Sequence, residues 1–198
     1  MSSTNSGLTL VLASTSRYRR ELLERLKIPF HTAAPEADET PLAGENPAAT
    51  AGRLALTKAQ SVLAKYPGSL IIGSDQVAFC GGVRLDKPGD HAHAVKQLQY
   101  ASGKLVNYIT AVALLNAGSG RAQTKLVSTE VKFRKLSDAE IARYLEAEPA
   151  FDCAGSAKAE GLGISLVETI VSTDPTALIG LPLIALSELL RKERLSLP

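Results

Sequence analysis

The chain has 198 residues, 45% of them hydrophobic and 21% charged, a balance that excludes the disordered and fibrous classes. Its 22 Lys and Arg against 20 Asp and Glu leave a net charge of +2, so no overall field holds it on nucleic acid and only local clusters of charge can matter. The length suits one domain, or two small packed lobes.

Residues 1–7 read as a polar tail without the basic start of an export signal. No stretch approaches the ~18 apolar residues of a membrane span. Cys80 and Cys153 have no second Cys or His at metal-ligand spacing and cannot form a disulfide framework. Buried free thiols in a reducing cytoplasm are the expectation.

Leu8 to Ala13 reads as a short buried strand. Ser14, Thr15 and Ser16 are N-cap candidates for a helix over Arg17 to Lys27 that carries Leu22, Leu23 and Leu26 on one face. An acidic loop from Pro35 to Glu45 gives way to Asn46-Pro47, a cap followed by proline at the first helical position. That helix runs to about Tyr66 and ends at Pro67-Gly68. Leu70-Ile71-Ile72 is a second buried strand, leading into a Gly73-Ser74-Asp75 turn.

Asp90 opens a helix that stops at Ser102-Gly103. Extended runs follow from Leu105 to Leu115 and from Lys125 to Arg134, on either side of the turn-rich Asn116 to Gly120. Ser137 and Glu140 have the capping-box spacing for a helix to about Glu146. Leu162 to Ile170 reads as the last strand. Gly180-Leu181-Pro182 precedes a C-terminal helix with Leu183, Leu186, Leu189 and Leu190 at helical spacing. Helices and strands that mix without strict alternation give an α/β class with a mixed sheet.

Three features break a local rule, and broken rules concentrate at functional sites. Arg17, Arg19 and Arg20 crowd the positive end of the first helix, where each cation costs a few tenths to ~1 kcal/mol. With Ser14 to Ser16 beside them they suit a polyanion such as phosphate; pairing sideways with surface carboxylates is the other outcome. Lys58 falls inside the apolar stripe of Ala51, Leu54, Ala55, Ala59 and Val62, so its ammonium must reach water or meet an anion. Asp75 follows an apolar strand, a position that suits a catalytic carboxylate or a turn former.

Glu36, Asp38 and Glu39 add hard oxygen donors of the kind Mg²⁺ or Mn²⁺ takes, not zinc. His91 and His93 are two apart on a helix and face different ways, a poor metal pair. The G-x-x-x-x-G-K-[ST], G-x-G-x-x-G and G-x-S-x-G signatures are absent.

The ordered motifs resemble the Maf family of nucleoside triphosphate pyrophosphatases, and within it the YceF branch. Ser16, Arg19, Leu22 and Leu23 match its Ser-x-x-Arg-x-x-Leu-Leu signature, and Pro35 to Pro41 its acidic segment. Lys58-Ala59, Gly73-Ser74-Asp75-Gln76-Val77, Lys87-Pro88, Ala154-Gly155-Ser156-x-Lys158-x-Glu160-Gly161 and Gly180-Leu181-Pro182-Leu183 follow in family order.

The resemblance implies a single domain over residues 8–194 with an elongated Maf/ITPase-like fold. That fold is a mixed sheet flanked by helices with a cleft between two lobes, commonly a homodimer. It also implies metal-dependent hydrolysis of a nucleoside triphosphate to the monophosphate and pyrophosphate, a housecleaning step that keeps modified nucleotides out of nucleic acid. By position Asp75 is then the proton acceptor for the attacking water, unless a hydroxide on the metal takes that part. Lys58 and Lys87 join it in catalysis, Ser14 and Arg19 bind phosphate, and Glu39 and Asp75 hold Mg²⁺ or Mn²⁺.

Tyr18, Gln76 and Glu160 match positions tied to base selectivity. An aromatic at position 18 is the YceF-branch choice, associated with 7-methyl-GTP, whose cationic purine suits stacking on Tyr18 and whose N–H donors suit Glu160. A dTTP/UTP pyrophosphatase, or a non-catalytic nucleotide-binding regulator of septum formation, are the alternatives. The chain departs from the family pattern at Asn107 (often His), at Thr110-Ala111 (usually Thr-Gly) and at Ala157 (often aromatic).

Overall fold

Alternate residues of the first strand, all of them buried, pack into two separate clusters. In chain order the regular elements are β1 (Leu10–Ala13), α1 (Arg17–Glu24), β2 (His31–Ala33), α2 (Pro47–Ser61), β3 (Leu70–Cys80), β4 (Val83–Arg84), α3 (His91–Ala101), β5 (Leu105–Asn116), β6 (Ala122–Phe133), α4 (Asp138–Ala147), β7 (Val167–Ser172) and α5 (Leu183–Lys192). The computed structural model describes residues 8–197, so the expected polar tail over residues 1–7 lies outside the described residues.

The strands follow the order β2-β1-β3-β5-β6-β7, with β4 on β3. β1 pairs parallel with β2 and β3, whereas β3–β4 and β6–β7 are antiparallel, so the sheet is mixed as expected. The residues divide into two compact units. One takes the chain up to Asp75, Thr110–Val127 and the part from Asp174 onward; the other takes Gln76–Ile109 and Ser128–Thr173. β3, β5 and β6 each contribute residues to both units.

In the first unit Leu10, Leu12, Leu70, Ile72, Val112 and Leu114 face α1 and α5, packing on Leu22, Leu23, Leu186, Leu189 and Leu190. Val11, Ala13, Ile71 and Leu115 point to the other face, onto Ala59 of α2 and Val62 at its C-terminal cap. This is the period-two alternation of strands meeting the wide stripe of each helix, with burial worth ~1.5–3 kcal/mol per large side chain. Asp174 completes the α5 end: its carboxylate accepts the Ile184 and Ala185 amides at 2.7 and 3.2 Å, a cap that Pro182 cannot supply.

In the second unit α3 is capped by Asp90, whose side chain accepts the His93 amide. α4 starts with the full Ser137–Glu140 capping box. Hydrogen bonds from the Ser137 amide and hydroxyl, then the Arg134 guanidinium, hold the Glu140 carboxyl down at about 2.

Several boundaries differ from the sequence expectation. α2 stops at Ser61, short of Tyr66, and Leu63–Lys65 is a separate 3₁₀ turn. α1 stops at Glu24 because its last turn tightens to i→i−3 bonds and Lys27 turns left-handed at φ 55°. Leu162–Leu166 is a 3₁₀ turn and the strand begins at Val167. A Cβ on Gly163 would sit 2.6 Å from the Lys158 backbone, so that glycine marks a close approach rather than a strand interior. β3 runs through Gly73 and Ser74 without turning, so Asp75 stands in mid-strand and not at a strand end.

Candidate active site

Gly73 decides the position of Asp75. A Cβ there would collide with the Ala55 carbonyl oxygen and lie 2.9 Å from the Ala59 nitrogen, so only glycine lets β3 approach the backbone of α2 this closely. By strand alternation Asp75 faces the same helix two residues on, and Lys58 lies one helical turn beyond Leu54 and Ala55 in the sheet-facing stripe. Lys58 is 5% exposed, and its ammonium donates to Asp75 Oδ1 at 2.7 Å and lies 2.7 Å from Glu39 Oε1. The lysine that broke the apolar stripe therefore meets two anions and does not snorkel to water.

Ser74, between these two residues, points to the opposite face. Its buried hydroxyl lies 2.7 Å from the Ala111 carbonyl oxygen and 2.8 Å from that of Gly180. Arg19 Nε donates to the same Gly180 oxygen at 2.8 Å, so one carbonyl ties β3 to the start of α1. Burial pulls the Arg19 guanidinium below its usual range, and the nearby charges of Asp75 and Glu39 oppose that shift. Ser14 is buried and its Oγ accepts the Ser16 amide at 3.1 Å, while Ser16 caps α1 by accepting the Arg19 amide.

The three arginines of the first helical turn separate into different roles. Arg20 pairs with Glu24 one turn along, at 3.1 Å on the surface. Arg17 lies over the Tyr18 ring at 4.7 Å and donates to its hydroxyl at 2.7 Å. Arg19 alone turns inward toward the carboxylates. Tyr18 is half-buried and already holds a cation against its face.

The acidic segment is anchored through residues the sequence reading passed over. Arg53 grips Glu45 with both carboxylate oxygens at 2.7 Å, and the Thr50 hydroxyl and the Leu42 amide also donate to Glu45. The hydrogen bond from Arg53 holds the Glu45 carboxyl down at about 2. A carboxyl depressed in the folded state stabilises above its unfolded value of ~4.5 and loses that contribution as pH falls toward its folded value. Protection of the Leu42 amide, relative to its intrinsic exchange at each pH, is therefore expected to fall between pH 4.5 and about 2; protection constant across that interval would remove Glu45 as the anchor.

The remaining predicted residues lie in the second unit. Gln76 is half-buried on β3, Lys87 is exposed after β4, and Glu160 is exposed in the segment between α4 and β7. Desolvation of the Glu160 carboxyl raises it above the usual range, with Glu148 adding to the shift and Lys158 opposing it. Lys158 is buried, its ammonium donating to the Pro149 carbonyl at 3.2 Å and lying 3.5 Å from Asp152. Cys80 is buried, and burial pushes the Cys153 thiol up to about 12, so Cys153 is not poised as a thiolate.

Glu39 and Asp75 are the two carboxylates that converge, both within the contact radius of one ammonium. Two hard-oxygen donors suit Mg²⁺ or Mn²⁺, which take one or two protein carboxylates and complete their shell with water and phosphate. Among the described residues no group of three or more His, Cys, Asp or Glu is gathered for a metal, so an all-protein cage does not fit. No helix among the described residues is long and apolar enough to cross a membrane.

The family model described as Maf-like protein matches residues 9–193. The 7-methyl-GTP pyrophosphatase of Aromatoleum aromaticum is 56% identical over 189 residues, which is 96% of this chain and 97% of that relative. The protein of the same description from Cupriavidus metallidurans is 54% identical, covering 96% and 95%. The solved Ham1 protein of Staphylococcus aureus aligns with a TM-score of 0.47 and 11% identity, covering 64% of this chain and 72% of that one.

Proposed function

The chain belongs to the Maf-like protein family, and from that premise we propose that it hydrolyses 7-methyl-GTP to 7-methyl-GMP and pyrophosphate. Residues 8–194 form the functional domain in this reading. The observation that carries it is the buried Lys58 ammonium held between Asp75 and Glu39, with Arg19 close by. A binder of neutral ligands has no use for a buried Lys58–Asp75 ion pair with further charges at its edge.

The residues divide the work as phosphoryl chemistry requires, mostly positioning and charge stabilisation. Arg19, with the Ser14 hydroxyl, takes phosphate oxygens, and Lys58 and Lys87 neutralise charge on the leaving pyrophosphate. Asp75 spends Oδ1 on Lys58, and its Oδ2 orients a water and accepts the proton as the water oxygen bonds to the α-phosphorus. The bond from that phosphorus to the bridging oxygen breaks, and pyrophosphate leaves with the electron pair. Glu39 and Asp75 would hold Mg²⁺ or Mn²⁺, which when bound neutralises phosphate charge and polarises the reacting group.

Base choice falls to Tyr18, Gln76 and Glu160. An N7-methylated guanine is cationic and takes the place against the Tyr18 face that Arg17 now fills. Glu160 accepts the guanine N–H donors.

The decisive experiment measures pyrophosphate release across canonical and methylated triphosphates, with and without Mg²⁺ or Mn²⁺. 7-Methyl-GTP is expected to be the best substrate, with metal required. A preference for dTTP and UTP would replace the substrate, and no release from any triphosphate would return the chain to the non-catalytic class. In the same panel Tyr18→Arg is expected to cost 7-methyl-GTP about tenfold in kcat/KM, the ~1–2 kcal/mol of a cation–ring contact. An unchanged ranking of substrates would remove Tyr18 from base selection.

A further inference from the structure

We propose that Arg53 and Glu45 are positioning residues that hold Glu39 in place beside Lys58, an inference that rests on the role given to Glu39 above. Thr40 to Gly44 are exposed, and Glu39 itself has a side chain 58% exposed. A segment with so little apolar packing takes its position from its polar anchors.

Those anchors come from α2. The Arg53 guanidinium makes a two-pronged contact with Glu45, and its Nη2 also donates to the Thr40 carbonyl at 3.1 Å, one residue after Glu39. The Asp38 carboxylate accepts the Thr40 amide at 2.9 Å, which fixes the turn around Glu39 from its other side. Glu36 is fastened farther along the same helix, its amide donating to the Ser61 hydroxyl. Lys58, the residue Glu39 must reach, lies between Arg53 and Ser61 on α2. One helix thus sets both ends of the Glu39–Lys58 contact, and Arg53 is the fork that fixes the span.

A surface ion pair is ordinarily worth little. This one differs because the Glu45 side chain is only 10% exposed and takes four donors, and because Arg53 also holds a backbone carbonyl. Lysine has the charge but not the planar fork.

The test is a double-mutant cycle on the full chain, pairing Arg53→Ala with Glu39→Gln. Arg53→Ala alone is expected to lower kcat ~10–100-fold, as displacement of a positioned group does, with KM for the triphosphate nearly unchanged. In the Glu39→Gln background it should subtract nothing further. Arg53→Lys should recover only a small part of the loss, and in Arg53→Ala amide exchange should rise at Thr40 and Leu42 well beyond any rise in the β1 and β3 core. Additive losses in the cycle, or full recovery by Arg53→Lys, would overturn the proposal. If Glu39→Gln leaves turnover intact, it is the catalytic reading of Glu39 that fails. The clamp is then judged on exchange alone, and unchanged protection at Thr40 and Leu42 in Arg53→Ala overturns it.

Discussion

Asp75→Asn is expected to lower pyrophosphate release by about 10²–10⁴-fold, the contribution of a positioned general base, while nucleotide binding survives. The amide has nearly the shape of the carboxylate, and its oxygen can still accept the Lys58 ammonium now 2.7 Å away. It cannot take a proton from water. Lys58 keeps Glu39 as its ionic partner, so the buried ammonium is not left without an anion, the situation in which breaking a buried pair is costly. The melting temperature should therefore fall by only a few degrees. Calorimetric titration with a non-hydrolysable triphosphate separates the two effects. Turnover near that of the unmodified protein would take Asp75 out of the reaction, and loss of binding together with turnover would make it an architectural residue.

Gly73→Val is expected to be the most damaging single change to the fold. The added atoms meet backbone of α2, at the Ala55 carbonyl and the Ala59 amide, and backbone cannot rotate away as a side chain can. Overpacking costs ~1–3 kcal/mol, occasionally more, and this site belongs at the upper end. For a chain of this size that is a drop of about 6–12 °C in melting temperature. Activity should fall further than stability explains, because pushing α2 outward carries Lys58 away from Asp75. Gly52→Ala is the matched control on the same helix. Nothing lies within 4 Å of a Cβ there, and alanine should stabilise by ~1 kcal/mol through helix propensity alone. A tolerated Gly73→Val would mean that the close approach of strand and helix is not what assembles the site.

Local chemistry made much of this legible from sequence. The Asn46-Pro47 start of α2 and the Ser137–Glu140 box are caps whose partners lie within four residues, and both form as read. The Lys58 stripe was visible because helical periodicity is itself local. Which anion would meet Lys58 was not, since Asp75 is 17 residues away in sequence and Glu39 lies in a loop with no periodicity. Gly73 was misread for a physical reason: glycine serves turns and close approaches alike, and only the neighbouring helix tells them apart. β2 and β4, of three and two residues, are too short to carry an alternation signal. The Arg53–Glu45 contact left no trace either, because a charged pair on an acidic loop and a helix face looks like ordinary solvated surface until the loop is placed.

The Gly180 carbonyl gives the order of synthesis a meaning. Arg19 emerges from the ribosome early, yet the oxygen that holds it comes 161 residues later, and the Ser74 hydroxyl waits 106 residues for that same atom. Translation cannot close this junction in stages as it builds successive domains. A chain stopped upstream of Gly180 therefore lacks the acceptor that both Arg19 and Ser74 share.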